Sequence, residues 1–493
     1  MNRPNWLSRL TRGRPTTSAG EAAAWEGLRS SVVHYRGKPV GTVASMDPAA
    51  CAQNYDQVFT RDFFVSAVAF LLRGEFDIVR HFLTVTLDLQ SAERHMDCFR
   101  PGQGMMPASF KIRGEGDEER VEADFGELAI ARVTPIDSGF WWLYLLHAYT
   151  RASGDESLAK SEAMQRGIRL ILDLCLPPRH EMLPTLLVPD GSFMIDRRLG
   201  VYGHPLDIQV LFHIALRSAD GLLDAPADDP LRQAVREREA HLAHHLRTYY
   251  WLDMAGLNRI YRYQVEELGE NAANRFNIYP ETIPTWLFEW MPRDGGYFAG
   301  NLGPARLDVR FFSQGNLLAI LAGVADASQA EAIIQLFEDR RDDLIGETPL
   351  KLVFPALEGR DWSLMTGSDP KNAPWSYHNG GNWPFLLWQF TAACLRVGRR
   401  AFAVEVLDAV EERLAADQWP EYYDGRGGRI LGKQARLNQT WSIAGPLAAR
   451  CLLDAPDKID MLTFGEPSRP ASCDAGVSDG GGAPAGTRGE GQS

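Results

Sequence analysis

Apolar residues recur at helical spacing along most of the chain, and Gly and Pro separate the periodic stretches. Such periodicity is typical of amphipathic helices. The pattern predicts helices over 61–73, 75–90, 138–152, 156–176, 205–219, 230–250, 314–325, 328–344, 384–397, 400–416 and 438–453. Strand-like pieces are short and cluster at 183–195, around a Pro189-Asp190-Gly191 turn.

The predicted helices follow one another in consecutive pairs. About a dozen paired helices in roughly 440 residues suit one ring of inner and outer helices better than several small bundles. We therefore expect an all-α fold, an (α/α)6 barrel with short β-hairpins in its loops. A single domain over residues 21–464 would form it.

The two ends differ from this core in composition. Residues 1–20 contain four arginines and no acid, without an apolar run of the kind that a secretory signal needs. A disordered leader is favoured there, with an organelle transit peptide as the alternative. Residues 465–493 contain eight glycines and one aliphatic side chain larger than alanine, Val477. Such a segment buries too little apolar surface to fold, which predicts a disordered tail.

Composition and charge narrow the function classes. The chain has 493 residues, of which 45% are hydrophobic, enough for a sizeable core. Its net charge of −13 argues against nucleic acid and against an acidic membrane surface as partners. Apolar runs such as 65–72 and 317–323 are too short to cross a bilayer. The six cysteines form no C-x-x-C pair, which favours reduced thiols and a cytoplasmic location.

The loops between the predicted helices combine Gly, Pro, Trp and ionisable residues, as functional loops do. They comprise residues 53–62, 95–111, 368–384 and 417–428. In the last of them Glu421 follows a proline and stands among three aromatic residues. Acids among aromatics suit carbohydrate, because sugar C–H faces stack on rings while sugar hydroxyls need polar partners. A plain surface turn is the alternative for Glu421.

Asp137 allows two interpretations. It directly precedes the helix predicted over 138–152 and is a good N-cap, a role that favours the carboxylate anion. The neighbouring Phe140, Trp141 and Trp142 would instead exclude water and favour a neutral acid, able to donate a proton. The sequence leaves both interpretations open.

Two further segments carry polar side chains suited to sugar hydroxyls. Asp56, Arg61 and Asp62 lie within seven positions, either as a surface cluster or as a grip on vicinal hydroxyls. His378 lies in a flexible loop before Pro384, either as an incidental turn residue or as a hydroxyl ligand.

No cofactor or metal is expected. The segment 427–433 has the spacing of a phosphate loop, but Gln434 replaces the Ser or Thr that binds magnesium. His241, His244 and His245 have helical spacing without a nearby acid or Cys in a complementary pattern. A solvated helix face is therefore favoured over a metal site.

The loop segments resemble those of the alkaline/neutral invertases, glycoside hydrolase family 100. The resemblance runs from about residue 50 to 455 and rests on NYDQVFTRDFF, PGQGMMPASFK, DFGELAIARVTPIDSGFWW, PTLLVPDGSFMIDRR, GHPLDIQ, NRFNIYPETIP, GSDPKNAPWSYHNGGNWP, DQWPEYYDG and LGKQARLNQTW. It implies an (α/α)6 barrel that hydrolyses sucrose to glucose and fructose with inversion. In that family the proton donor corresponds to Asp137 and the general base to Glu421.

The same resemblance suggests a set of sugar contacts. The motif residues of suitable chemistry are Asp56, Arg61, Asp62, Gln103, Trp141, His204, Arg310, His378, Trp383 and Arg436. Two other functions remain open, an inverting hydrolase of trehalose or another small α-glucoside and a non-catalytic carbohydrate-binding protein. The expected partner is a small sugar, and the subunit number stays open, a homo-oligomer included.

Overall fold

The computed structural model describes residues 19–465, with gaps at 49–53, 95–101, 115–117, 128–134, 177–182, 189–192, 196–198, 200, 259–282, 304–305, 349 and 427–430. The predicted leader and tail lie outside these residues, except that Ala19 and Gly20 begin a helix and Gly465 ends the described chain. The predicted turn at Pro189–Gly191 and the loop 427–430 also lie outside them.

Helices dominate the described chain. They are α1 (Ala19–Ser30), α2 (Thr60–Arg73), α3 (Phe76–Asp88), α4 (Ser138–Ser153), α5 (Glu156–Ala159), α6 (Glu162–Cys175), α7 (Leu206–Leu222), α8 (Pro230–Tyr249), α9 (Thr285–Trp290), α10 (Ser313–Ala322), α11 (Ala327–Asp339), α12 (Arg341–Leu344), α13 (Gly359–Thr366), α14 (Leu387–Arg396), α15 (Arg400–Asp408), α16 (Glu411–Ala416) and α17 (Thr440–Asp454). Two 3₁₀ turns, Pro384–Leu386 and Pro456–Met461, precede α14 and follow α17.

Six helices form the core. They are α2, α4, α7, α10, α14 and α17, and most of their side chains are buried; in α10 all ten are. Helices that are apolar all round are expected in a protein interior. Each of the six packs against the next in chain order, and α17 packs against α2.

Amphipathic helices cover this core. α1 packs on α17, α3 on α2 and α4, α8 on α7, α11 on α10 and α15 on α14. Because an outer helix returns the chain between two core helices, the core helices run in one direction and begin at the same end. The loops that precede them therefore meet there.

The predicted helices are found with shifted ends, and three of them are divided. The stretch 156–176 breaks before Ser161, whose hydroxyl accepts the Met164 N–H at 3.4 Å and starts α6. The stretches 328–344 and 400–416 break into α11 and α12 and into α15 and α16. Periodicity did not reveal these breaks because the apolar face continues across them.

Helix α1 was not predicted. It buries Ala24, Trp25 and Leu28, but most of its apolar positions are alanines, which give a weak periodic signal. The short helices α9 and α13 were missed as well.

All strand pairs that the structure describes are antiparallel. The strands are β1 (Val32–Tyr35), β2 (Lys38–Thr42), β3 (Val58–Phe59), β4 (Ser109–Arg113), β5 (Arg120–Asp124), β6 (His204–Pro205), β7 (Trp251–Asp253), β8 (Gly296–Gly303), β9 (Arg306–Phe312) and β10 (Val353–Phe354). They form the pair β1–β2, the sheet β3-β4-β5 and the sheet β10-β9-β8-β6, with β7 also on β8. Within the described part of 183–195 there is only the bridge of Val188 to Gly203. The strand prediction there stays a prediction, because 189–192 lie outside the described residues; the longest described strands, β8 and β9, lead into α10.

Candidate active site

The loops at the starting ends of the core helices are joined by short backbone bridges. Asn382 pairs with Lys351 on one side and with Tyr423 on the other. Ser45 pairs with Gln439, and its N–H donates to the Tyr55 carbonyl at 3.0 Å. These bridges bring the segment of Glu421 next to the segments of Tyr55 and of His378.

Asp137 occupies the N-cap position of α4, but its side chain makes no capping hydrogen bond. The carboxylate is 1% exposed and accepts Arg61 Nε at 2.6 Å, Arg61 Nη2 at 2.9 Å and Trp141 Nε1 at 3.1 Å. The N-cap interpretation of this side chain is therefore wrong, and its partners are side chains of the helices α2 and α4.

Glu421 is the second buried acid, 2% exposed. Its Oε1 accepts the Tyr55 hydroxyl at 2.9 Å, and its Oε2 accepts the Arg436 backbone N–H at 3.4 Å. The Arg436 guanidinium lies 5.7 Å from the centroid of the Tyr55 ring. These donors orient the Glu421 carboxylate from two sides.

Asp62 electrostatically links the two acids. Burial raises the pKa of Asp62 to about 7; Arg61 opposes this rise, while the charges of Glu421 and Asp137 add to it. Asp62 is the chain neighbour of Arg61, which bonds to Asp137, and the charge of Glu421 acts on it as well. Arg61, Asp62, Trp141 and Arg436, all expected as sugar contacts, are thus brought together around the acid pair.

The loop of His378 contributes an aromatic group. The His378 ring stacks on Tyr377 at a centroid distance of 3.9 Å, and Lys371 Nζ lies 3.9 Å from the Tyr377 ring centroid. Burial, then the charge of Glu421 and then that of Tyr377 raise the pKa of Tyr55.

Trp383 lies behind this group. It is fully buried, stacks on Tyr422 at 5.2 Å and donates its indole N–H to the Tyr377 carbonyl at 3.0 Å. This environment suits support of the loop better than contact with a sugar.

Three expected contacts have other partners or are exposed. Asp56 forms an ion pair with Lys111, and Gln103 is exposed in a turn. The buried Arg310 is paired with Asp308, with Nε 2.8 Å from Oδ1.

His204 lies beside the end of the outer helix α8, where the Tyr250 hydroxyl donates to the His204 carbonyl at 2.6 Å. Burial lowers the pKa of its imidazole, and a backbone hydrogen bond with Leu186 opposes this effect. His204 in turn lowers the pKa of His245 in α8, after the larger effect of burial.

Strained backbone is concentrated on the site loops. Among the described residues, nine non-glycine residues have positive φ, and seven of them flank Tyr55, His378, Glu421 or Arg436. These seven are Asn54, Trp375, Tyr377, Gln418, Trp419, Gln434 and Asn438. Such conformations cost about 1–3 kcal/mol each and are typical of functional sites.

Sequence reasoning missed Tyr55 and Tyr377 as site residues. Both stand inside motifs that it quoted, next to Asp56 and His378. A signal was available, because a tyrosine beside motif acids can donate its O–H to a carboxylate. In the part of the chain that the structure describes, no group of three or more His, Cys, Asp or Glu could hold a metal ion.

Comparison with known proteins identifies the family. The family described as alkaline and neutral invertase matches residues 24–456. The chain belongs to this family. The membership confirms the resemblance seen in the loop motifs and the expectation of an enzyme that hydrolyses sucrose.

Relatives of the invertase family match over most of their length. "Neutral/alkaline invertase 1, mitochondrial" of Oryza sativa subsp. japonica is 53% identical over 93% of this chain and 74% of its own. "Cytosolic invertase 1" of the same species is 52% identical over 90% and 80%. The names of these relatives thus give different locations. No helix among the described residues is long and apolar enough to cross a membrane.

Solved structures share the fold at low identity. A GH63 mannosylglycerate hydrolase from Thermus thermophilus is 13% identical, with a TM-score of 0.55 over 87% of this chain and 99% of its own. A bacterial glucoamylase in complex with acarbose is also 13% identical, with a TM-score of 0.53 over 90% and 57%. The likeness is to the fold of (α/α)6-barrel glycosidases.

Proposed function

We propose that this invertase cleaves sucrose with inversion, with Asp137 as general acid and Glu421 as general base. Asp137 would protonate the glycosidic oxygen as fructose leaves, while Glu421 draws a proton from the water that attacks the glucosyl anomeric carbon. The proposal is carried by the two buried carboxyl groups, each held by its own donors, with Asp62 sensing both charges.

Proton delivery by Asp137 requires one of its oxygens to face the leaving group. In this structure both oxygens accept Arg61, and one also accepts Trp141. Glucosyl hydroxyls are good acceptors for a guanidinium. We infer that bound sugar takes over part of the Arg61 fork, so that one Asp137 oxygen is freed, takes up a proton from solvent and donates it to the glycosidic oxygen.

Glu421 is suited to the base role by its environment. Tyr55 and the Arg436 N–H donate to the two oxygens and leave further lone pairs for a water molecule. Inversion needs room for that water, and it corresponds to carboxyl groups about 6.5–9.5 Å apart.

The remaining sugar contacts are proposals of differing support. Arg61, Asp62, His378 and Arg436 are supported by their position around the acids, and we add Tyr377. Trp141 and Trp383 would act mainly through Asp137 and Tyr377, to which they donate. The other expected contacts remain without a link to the acids, namely Asp56, Gln103, His204 and Arg310.

Three further features belong to the proposal: closure of the barrel, the bounds of the catalytic domain and the location of the protein. The contact of α17 with α2 supports closure of the six core helices into an (α/α)6 barrel. We retain one catalytic domain over 21–464 between a leader and a tail. We also retain a cytoplasmic location, which the name of the cytosolic relative supports.

The test follows the anomer of the released glucose by NMR. Sucrose contains an α-glucosyl unit, so inversion releases β-glucose first. Asp137→Asn and Glu421→Gln should each lower kcat on the order of 10²- to 10⁴-fold with the melting temperature retained. Asp173→Asn and Glu237→Gln, exposed acids on α6 and α8, are matched controls. Initial release of α-glucose would refute inversion, and near-full turnover of either variant would refute its role.

A further inference from the structure

Lys351 is a buried lysine outside the substrate pocket, 3% exposed, between α12 and β10. Its Nζ donates to the Gly425 carbonyl at 2.7 Å and to Asn382 Oδ1 at 3.3 Å. The same Nζ lies 5.2 Å from the centroid of the Trp375 ring. One ammonium group therefore contacts both loops that frame the site, the loop of His378 and the loop of Glu421.

The backbone around Lys351 continues this junction. Leu352 N–H donates to the Gly381 carbonyl at 3.0 Å, and Trp383 N–H donates to the Leu350 carbonyl at 2.7 Å. Asn382 and Tyr423 exchange two further bonds, at 2.9 Å and 2.8 Å. Because Glu421 lies two positions before Tyr423, the position of the base depends on this ladder.

The far end of the ladder is a close approach of two glycines. Gly425 N–H donates to the Trp375 carbonyl at 2.8 Å, and a Cβ on Gly425 would overlap the Gly380 carbonyl. Lys351 Nζ reaches the Gly425 carbonyl from the other side. The loop of Glu421 is thus held to the loop of His378 at Tyr423 and again at Gly425.

The charge on Lys351 has an electrostatic cost that its hydrogen-bond partners only partly offset. Both hydrogen-bond acceptors are neutral oxygens, and burial of an ammonium group without a bonded carboxylate is unfavourable. Burial lowers the pKa of Lys351 to about 8, against the weaker opposing effects of Asp343 in α12 and Asp424 in the loop. Arg426, which lies near Asp424 on the loop of Glu421, is paired with Glu358. The loop of His378 contributes the uncharged Asn382 and Trp375.

We propose that Lys351 is a positioning residue, whose ammonium group holds the loop of the general base against the loop of His378 and whose deprotonation weakens hydrolysis in alkaline solution. The inference rests on the proposed role of Glu421. A neutral amine donates more weakly to the Gly425 carbonyl, so the loop of Glu421 gains freedom when the proton leaves. A small displacement of a catalytic group is enough to lower the rate of the chemical step.

The loss of activity in alkaline solution comes from a change in the position of the loop of Glu421 and not from unfolding. In the unfolded chain the pKa of a lysine is the ordinary 10.5, above the value of about 8 in the folded protein. Between these pH values the unfolded chain binds more protons, so the free energy of unfolding contributed by Lys351 rises with pH. Deprotonation of this group therefore lowers activity without lowering the melting temperature.

The test compares Lys351→Met, which removes the charge, with Lys351→Arg, which keeps a charge at all accessible pH values. Sucrose hydrolysis is measured from pH 6 to pH 10, with the melting temperature at each pH. Lys351→Met should lower kcat on the order of 10- to 100-fold, with little change in KM. Lys351→Arg should recover part of kcat, and its activity should decline at a higher pH than that of the natural protein.

Lys351→Gln is the second variant if the methionine side chain prevents folding. Glutamine donates a hydrogen bond without carrying a charge. Lys351→Gln should therefore have a reduced kcat and, like Lys351→Met, should lack the fall in activity that deprotonation of Lys351 causes in alkaline solution. Lys38→Met, an exposed lysine on β2, is the matched control and should leave both kcat and the pH profile unchanged.

The inference would be overturned if folded Lys351→Met or Lys351→Gln kept the kcat of the natural protein and its fall in activity at high pH. It would also be overturned if Lys351→Arg behaved like the uncharged variants. Glu421→Gln is measured in parallel. An inactive Glu421→Gln beside an unaffected Lys351→Met refutes only the role of Lys351, whereas an active Glu421→Gln refutes the proposed base and the inference with it.

Discussion

The Tyr55 hydroxyl donates to Glu421 Oε1 at 2.9 Å, although the two residues are 366 positions apart. Burial, and next the charge of Glu421, keep the pKa of Tyr55 well above its ordinary value. The hydroxyl therefore remains protonated and donates over the whole pH range in which the enzyme is stable. A residue of one loop thus orients the proposed general base, which lies on another loop.

Tyr55→Phe tests this orientation. Removing the hydroxyl leaves Glu421 Oε1 without this donor, so the carboxylate samples orientations that do not face the water. We expect kcat to fall on the order of tenfold, with KM changing less, in steady-state assays with sucrose. Tyr249→Phe, at an exposed tyrosine of α8, is the control. Equal kcat in both variants would contradict the orienting role.

Arg61→Lys tests the fork on Asp137. A lysine keeps the charge but cannot contact both carboxylate oxygens in the planar geometry of a guanidinium. We expect kcat/KM to fall on the order of 10- to 100-fold, because both Asp137 and the sugar hydroxyls lose an oriented donor. Arg80→Lys is the control, since its pair with Asp155 is exposed and such pairs are worth about 0–1 kcal/mol. An Arg61→Lys enzyme with natural kinetics would show that the fork is dispensable.

Asp62→Asn tests a trade between stability and activity. The pKa of Asp62 is about 7 in the folded protein against 3.8 ordinarily, so its ionised form is disfavoured by folding. Asparagine should raise the free energy of unfolding by an amount on the order of 1–4 kcal/mol above pH 7. The gain should grow between about pH 4 and pH 7 and vanish below the ordinary pKa.

Denaturant titrations of Asp62→Asn and the natural protein at several pH values measure this gain, with Asp173→Asn as the exposed control. Activity should fall at the same time, because a proposed hydroxyl contact is lost. A stability difference that does not depend on pH, or a loss of stability at pH 8, would contradict the electrostatic account.

Trp383→Phe separates two roles for this ring. If Trp383 supports Tyr377 from behind, the substitution removes a hydrogen bond and buried volume, and it should lower the free energy of unfolding by about 2 kcal/mol. KM for sucrose should then remain close to natural. A raised KM with unchanged stability would instead restore the direct sugar contact expected from the motif.

The helices of the core were predictable because burial on all sides leaves long apolar runs between Gly and Pro. Gly74 and Gly154, for example, end α2 and α4 in the left-handed conformation. Helix α1 was not predictable in this way, since most of its apolar positions are alanines, which give a weak periodic signal. The strands β8 and β9 were missed because the pattern of apolar and polar residues does not show which residues pair across the two strands.

The acid pair followed from the motifs, but the roles of its neighbours did not. His204 stands in a motif and lies beside the end of α8, while Trp383 stands in another and is fully buried. A motif indicates that a residue matters and does not indicate the direction of its side chain. Lys351 belongs to none of the quoted motifs, and only its contacts with Asn382 and Gly425 mark it.

By itself the sequence determined the helical class and the invertase family, and it predicted the two acids, because periodicity and local motifs are properties of neighbouring residues. The tertiary structure alone decided that Asp137 bonds to Arg61 instead of capping α4, and that Tyr55 holds Glu421. These contacts join residues far apart in the chain, and packing of the core helices sets their distances. The orientation of each acid is therefore a property of the fold, while its identity is a property of the sequence.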